Sequence, residues 1–226
     1  MLRSILFKIA LGVFFATWGP VLMIALVSEK RTRKAIDRGV RIMLWIARDI
    51  GGIKYEIIDA VPGRNGKINP KSIMAVKHMS ILESAILMVN YPNLFFIIKR
   101  ELMMIPFYGW AFWRMGFIGV NRAKGTTNMK LLAMRAAAEV RKGRTLVVYP
   151  EGARKNPGAG VKLKRGLLFI AEDSKIPIQP IGTDTGVYWP KRGRTRAGVA
   201  KMWLEPPLPF DATLDEVQKA IARHSA

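Results

Sequence analysis

No cysteine occurs in this chain of 226 residues. That excludes a disulfide scaffold, thiol catalysis and any thiolate metal site. Histidine is almost as scarce. There are two, His78 and His224, too few and too far apart in sequence for a His-rich metal centre, so no metal and no cofactor is expected. Acidic residues are under-represented: 16 Asp and Glu stand against 37 Lys and Arg, a formal net charge of +21. Such a surface seeks polyanions, whether nucleic acid, anionic lipid or a phosphorylated substrate. Repeats and low-complexity tracts are also missing. Half of the residues are hydrophobic, and the length suffices for one domain with a real core rather than a disordered chain.

The N-terminus chooses among those polyanions. From Ile9 to Ser28 there is no charged residue, a run just long enough to span a bilayer. Arg3 and Lys8 precede it, and Lys30, Arg31, Arg33 and Lys34 follow. That symmetry gives no orientation by the positive-inside rule, so lodging in one leaflet is expected over a crossing. Gly19-Pro20 offers a bend for such an insertion. Residues 30–50 read as an amphipathic helix, with Ile36, Val40, Met43, Leu44 and Ala47 on one side and Lys34, Arg38, Arg41 and Arg48 on another. A basic amphipathic helix beside an apolar one suits an anionic membrane surface, and the plainer reading is the solvated face of a core helix. Residues 1–50 are thus expected to form a two-helix membrane motif and 51–226 the main domain.

Beyond Gly51-Gly52 strands and helices alternate. Strands are expected at 55–58, 72–76, 94–98, 117–120, 146–149, 177–181 and 199–204. Helices are expected at 81–90, 101–115 (broken by Pro106 and Gly109), 127–142, 166–174 and 213–224. Alternation of this kind means a single α/β domain, with a central mixed, mostly parallel sheet flanked by helices. The continuous apolar run at 146–149 suits a central strand.

Two segments carry chemistry. His78 follows the apolar run Ile73-Met74-Ala75-Val76, where a buried strand emerges into a loop, and Glu83 lies five residues on. A histidine with a carboxylate in reach is the simplest general base near neutral pH. Ser80-x-x-Glu83 is equally a capping box with Ser80 as N-cap. The readings are compatible, because a carboxylate reaching back past the N-cap points toward His78. The second segment, Tyr149-Pro150-Glu151-Gly152-Ala153-Arg154, places a carboxylate, a flexible glycine and a guanidinium at a strand's carboxyl end, where ligands of open α/β sheets gather. Taken alone it is also an ordinary Pro-Gly turn.

Together these segments resemble the glycerolipid acyltransferase family, which includes the 1-acylglycerol-3-phosphate acyltransferases. That family carries four blocks in fixed order. His-x4-Asp is matched by His78 to Glu83. A glycine followed six residues later by arginine is matched by Gly116 to Arg122. Phe-Pro-Glu-Gly-Thr-Arg is matched by Tyr149 to Arg154, and an apolar strand with proline by Ile176 to Ile181. Glu83 stands where aspartate is usual, Ala153 where threonine is, and Gly119 and Asn121 where the family has bulkier or acidic residues.

The resemblance implies fatty acyl transfer from a thioester, acyl-CoA or acyl-ACP (acyl carrier protein), to the sn-2 hydroxyl of lysophosphatidic acid, giving phosphatidic acid for phospholipid synthesis. It implies His78 and Glu83 as catalytic groups. Arg122 and Arg154, backed by Lys99, Arg100 and Lys164, would hold the acceptor phosphate. Glu151 and Gly152 would complete the substrate site, with amides near Gly152 for the oxyanion. The expected location is the cytoplasmic side of a bacterial inner membrane, with the lipid bilayer as partner and no nucleic acid. An acyltransferase for another lysolipid, such as lyso-ornithine lipid, and a basic nucleic-acid-binding protein are the alternatives.

Overall fold

A computed structural model describes residues 1–69, 71–121 and 129–225. Its centre is one seven-stranded sheet of β1 (Ile53–Asp59), β2 (Ile73–Val76), β3 (Leu94–Lys99), β4 (Ile118–Val120), β5 (Thr145–Val148), β6 (Ile178–Thr183) and β7 (Gly198–Leu204). The spatial order is β1-β7-β6-β2-β5-β3-β4. Every neighbouring pair is parallel except β6 with β7. Five strands therefore point their carboxyl ends the same way, with β2, β5 and β6 in the middle. These three are buried at every position. That is why β2 and the Leu146–Val148 part of β5 read as unbroken apolar runs rather than alternations, whereas β6 also buries the polar Gln179 and Thr183.

The helices are α1 (Leu2–Ala25), α2 (Glu29–Trp45), α3 (Leu82–Asn90), α4 (Tyr108–Arg114), α5 (Met129–Arg141), α6 (Gly166–Ser174), α7 (Thr185–Tyr188) and α8 (Leu214–Ala222). α5 buries Ala133, Ala136, Ala137 and Val140, and Gly143 at φ +82° closes its end, as glycine after a helix does. The first two residues of the expected helix 127–142 lie outside the described residues.

Two expectations change, and the break expected within a third element is present. Residues 30–50 are not one regular helix, since a π-helical turn (Ile46–Ile50) follows α2. The break foreseen inside residues 101–115 separates a 3₁₀ turn (Arg100–Met104) from α4. The bend foreseen at Gly19-Pro20 is absent as an interruption, because α1 runs through both residues. Proline removes one backbone hydrogen bond, but tertiary contacts hold the helix. The Phe107 ring lies against Gly19, where a Cβ would come within 3.0 Å of it, and the Tyr108 hydroxyl donates to the Phe15 carbonyl at 2.8 Å.

α1 and α2 share one apolar core with the sheet domain. Phe7, Leu11, Phe14 and Leu22 form the buried stripe of α1, and each such side chain stabilises the packing by about 1.5–3 kcal/mol. The opposite stripe is apolar too, with Leu2, Ile5, Leu6, Ile9, Val13 and Ile24 exposed. α1 is the one helix among the described residues long and apolar enough to cross a membrane.

Candidate active site

The carboxyl end of β2 delivers His78 and the first turn of α3 delivers Glu83. His78 Nδ1 lies 2.8 Å from Glu83 Oε1. A carboxylate without its proton only accepts, so in a neutral imidazole bonded to it Nδ1 carries the proton and Nε2 has the lone pair. Nε2 has no hydrogen-bond partner among the described residues. His78 is slightly exposed, whereas Glu83 is fully buried. A buried carboxylate needs several donors, and Glu83 has them. Oε1 also accepts from the amides of Met79 and Ser80, at 2.9 and 2.8 Å. Oε2 accepts from the Ser80 amide at 2.9 Å and from the Thr185 hydroxyl at 2.8 Å.

The capping box expected with Ser80 as N-cap does not form, because Ile81 is the N-cap of α3 and carries no side-chain cap. Glu83 does reach back to the Ser80 amide, but Ser80 Oγ accepts from Leu82 N at 3.1 Å rather than from the amide of Glu83. The same carboxylate caps the helix entry and orients the imidazole.

Tyr149, at the end of β5, stacks on the imidazole with ring centroids 3.9 Å apart and planes 19° apart. Its hydroxyl is tethered to Ser84 Oγ. Burial, then the nearby Glu83 charge, push the Tyr149 phenol well above its ordinary range, so it stays neutral.

The Pro150–Lys155 loop wraps the other side of His78. Glu151 is buried, and Oε2 accepts from the His78 amide at 3.0 Å. The Lys155 amide donates to the His78 carbonyl at 2.8 Å. The peptide of His78 is thus gripped at both ends. Glu151 Oε1 finds no donor among the described residues. Burial raises the Glu151 pKa against the His78 amide and the charge of Lys77. Burial likewise lowers the pKa of Lys77, opposed by Glu151.

Gly152 takes φ +76° and lies against the Lys164 side chain, within 3.2 Å of where a Cβ would stand. Its amide donates to the Tyr149 carbonyl at 3.0 Å. That removes Gly152 itself from the expected oxyanion donors. The amides of Ala153 and Arg154 have no acceptor among the described residues.

Arg154 is exposed on this loop. Lys99 ends β3 and pairs with Glu101 at 3.2 Å. Arg100 lines an open cavity of about 460 Å³ beside Met103, Trp113, Phe117 and Arg135. No bond joins Lys99 or Arg100 to the His78–Glu83 network among the described residues. Arg122 lies outside the described residues. The structure thus gathers His78, Glu83, Glu151, Gly152 and Lys164 around one loop. Thr185, Ser84 and the stacking role of Tyr149 were missed. Tyr149 alone left a trace, as an aromatic one residue before the Pro-Glu-Gly turn.

The model of the acyltransferase family matches residues 53–184, the stretch that holds His78, Glu83, Tyr149 and the Pro150–Lys155 loop and ends one residue before Thr185. The chain belongs to that family. This acyltransferase is 30% identical over 197 residues to the 1-acyl-sn-glycerol-3-phosphate acyltransferase of Pseudomonas aeruginosa, covering 85% of this chain and 74% of that one. It is 27% identical over 195 residues to the human alpha enzyme of the same name, covering 82% and 67%. Among solved structures, the 1-acyl-sn-glycerophosphate (LPA) acyltransferase PlsC of Thermotoga maritima superposes with a TM-score of 0.74 over 98% of this acyltransferase and 92% of that chain, at 18% identity. The mixed, mostly parallel sheet and the N-terminal helices are therefore a fold already seen in that structure.

Proposed function

We propose that this acyltransferase moves a fatty acyl group from acyl-CoA or acyl-ACP to the sn-2 hydroxyl of 1-acyl-sn-glycerol 3-phosphate. The observation that carries the reading is the His78–Glu83 pair at the carboxyl end of β2, with Nδ1 on the carboxylate and Nε2 without a partner among the described residues. The names of the Pseudomonas and human relatives support the acceptor.

An alcohol attacks a thioester only if a base takes its proton in the transition state. In this reading Nε2 of His78 removes the proton as the sn-2 oxygen bonds to the thioester carbonyl carbon. Glu83 faces the imidazolium that forms. The tetrahedral oxyanion collapses, the carbon–sulfur bond breaks, and the imidazolium returns its proton to the leaving thiolate. The products are an ester and a free thiol, with no covalent acyl-enzyme. Glu151 and Lys155 act by fixing the His78 peptide, so that the ring needs no reorganisation. The amides of Ala153 and Arg154 are the candidate oxyanion donors.

Arg154 and Arg122, with Lys164 behind, are assigned to the acceptor phosphate, and Lys99 and Arg100 to the approach. A guanidinium offers a fork that an ammonium lacks. Arg154→Lys should therefore raise the KM for lysophosphatidic acid about tenfold, roughly the 1.4 kcal/mol of one lost charge-assisted hydrogen bond. If only the thioester KM moves, the assignment fails. Residues 1–50 are assigned to one leaflet at the cytoplasmic face of a bacterial inner membrane, with the exposed stripe of α1 in the acyl region and the cations of α2 on anionic headgroups. The deciding assay offers the purified enzyme a labelled acyl thioester with lysophosphatidic acid or a phosphate-free lysolipid. Turnover with the second alone would overturn the acceptor.

A further inference from the structure

We infer that the segment 102–113 is a second membrane contact, which turns the carboxyl edge of the sheet toward the bilayer. This rests on the membrane reading of α1 but concerns a different part of the chain. The segment follows directly from the carboxyl end of β3, two strands from β2 and His78. It leaves Leu102, Met104, Ile105, Trp110 and Trp113 exposed, Met104 at 74% and Trp113 at 69%. Five large apolar side chains within twelve residues exceed the scattered exposure ordinary on a soluble surface. Two of them are tryptophans, the side chain that favours the bilayer–water interface.

Its position makes this patch continuous with α1. Phe107 takes φ +65°, a conformation L residues rarely adopt, and its ring lies on Gly19. Tyr108 donates to the carbonyl of Phe15. Arg114 donates to the carbonyl of Val27 at 3.0 Å, and Arg33 to that of Met115 at 3.2 Å. The N-terminal part of α1 meets the other end of the same side. Arg3 donates to Ile50 just before β1 at 2.9 Å, and Phe7 packs edge-on against Trp189 just after α7. α1 thus joins loops at both ends of the carboxyl edge, and segment 102–113 widens that apolar surface beside the site.

Charge selects the occupant. Lys30, Arg31 and Lys34 on α2 and Arg114 on α4 are exposed around the patch, as an anionic lipid surface requires. A bilayer seated on both elements would lie close to His78. An acceptor lipid would then reach the base by lateral movement instead of transfer through water.

The absence of cysteine makes a direct test available. Single variants Met104→Cys, Ile24→Cys and Lys67→Cys would carry an environment-sensitive fluorophore. Lys67 lies in the loop packed at the far end of α3, where Tyr91 donates to Gly66 at 3.1 Å. On phosphatidylglycerol/phosphatidylcholine vesicles containing nitroxide lipid, labels at 104 and 24 should shift to the blue and be quenched, and the label at 67 should do neither. Quenching at 24 with a label at 104 that behaves like 67 would overturn this inference alone. Silence at both 24 and 104 would overturn the α1 reading with it. The pair Met104→Gln/Trp110→Gln should lose about tenfold in turnover of vesicle-embedded acceptor, as expected when two apolar side chains no longer enter the interface. Turnover of a short-chain soluble acceptor should not change. Equal loss on both acceptors would contradict a membrane role.

Discussion

The two histidines of this chain make the same contact in different places. Each sets Nδ1 against a fully buried glutamate, His78 against Glu83 at 2.8 Å and His224 against Glu205 at 2.6 Å. His78 stands at the carboxyl end of a central strand. His224 lies after α8, stacked on Trp203 with centroids 5.6 Å apart. The carboxylates also differ in how they are satisfied. Glu83 takes two backbone amides and the Thr185 hydroxyl, donors that are neutral and fixed. Glu205 shares its charge with Arg223 at 3.1 Å, whose side chain is largely exposed. A solvent-screened cation already answers Glu205, whereas among the described residues Glu83 has no cationic partner other than a protonated His78. The two contacts differ in setting: the His78–Glu83 pair lies where parallel strands end and its carboxylate is held by neutral donors, and the His224–Glu205 pair shares its carboxylate with a cation.

The largest expected break in this comparison is at Glu83. Glu83→Gln puts an amide among donors and should lower kcat about 10²–10⁴-fold, by analogy with loss of the carboxylate in other His–carboxylate pairs. Glu205→Gln should leave turnover within about twofold and cost about 1.5–3 kcal/mol of stability, the worth of a buried charge-assisted hydrogen bond. Equal kinetic losses would erase the distinction.

Thr185 sharpens it. Thr185→Val removes one donor from Glu83 Oε2 and should lower kcat about tenfold with KM unchanged. Thr185→Ser should restore activity, and the Val change should be silent in a Glu83→Gln background. Additive losses would make Thr185 merely structural.

The smallest effect concerns Asp59. Burial opposes its ionisation, but the Arg64 guanidinium and the amides of Val61 and Gly66 outweigh it and hold its pKa below the usual value. Its folded pKa is therefore below its unfolded pKa, so its stabilisation is present above pH about 4 and fades as pH falls toward the folded value. Thermal unfolding of Asp59→Asn should show a deficit of about 1–3 kcal/mol at neutral pH that shrinks below pH about 4. A deficit independent of pH would contradict it.

The expected strand positions and the spacing of His78 to Glu83 were legible because each depends on nearby residues. An unbroken run such as Ile73–Val76 forecasts a buried strand, and the helix turn that follows places Glu83 over His78. The sheet order was not legible, nor was the reversal at β7, because pairing joins segments far apart in sequence. Thr185 lies 102 positions from Glu83 on a helix of one turn, too short for any periodicity. Glu205 and His224 escaped for the same reason, since α8 brings them together. The continuous α1 defied its Gly-Pro pair because Phe107 and Tyr108, distant in sequence, brace it.

The most direct measurement is turnover of lysophosphatidic acid and a labelled acyl thioester by purified His78→Ala and His224→Ala, each first shown to be folded. His78→Ala should lose about 10²–10⁴-fold in kcat, the usual worth of a general base, and His224→Ala should stay within about twofold of the unmodified enzyme. If His78→Ala keeps more than half of the activity, or if both variants lose it equally, the base is not His78 and the account fails.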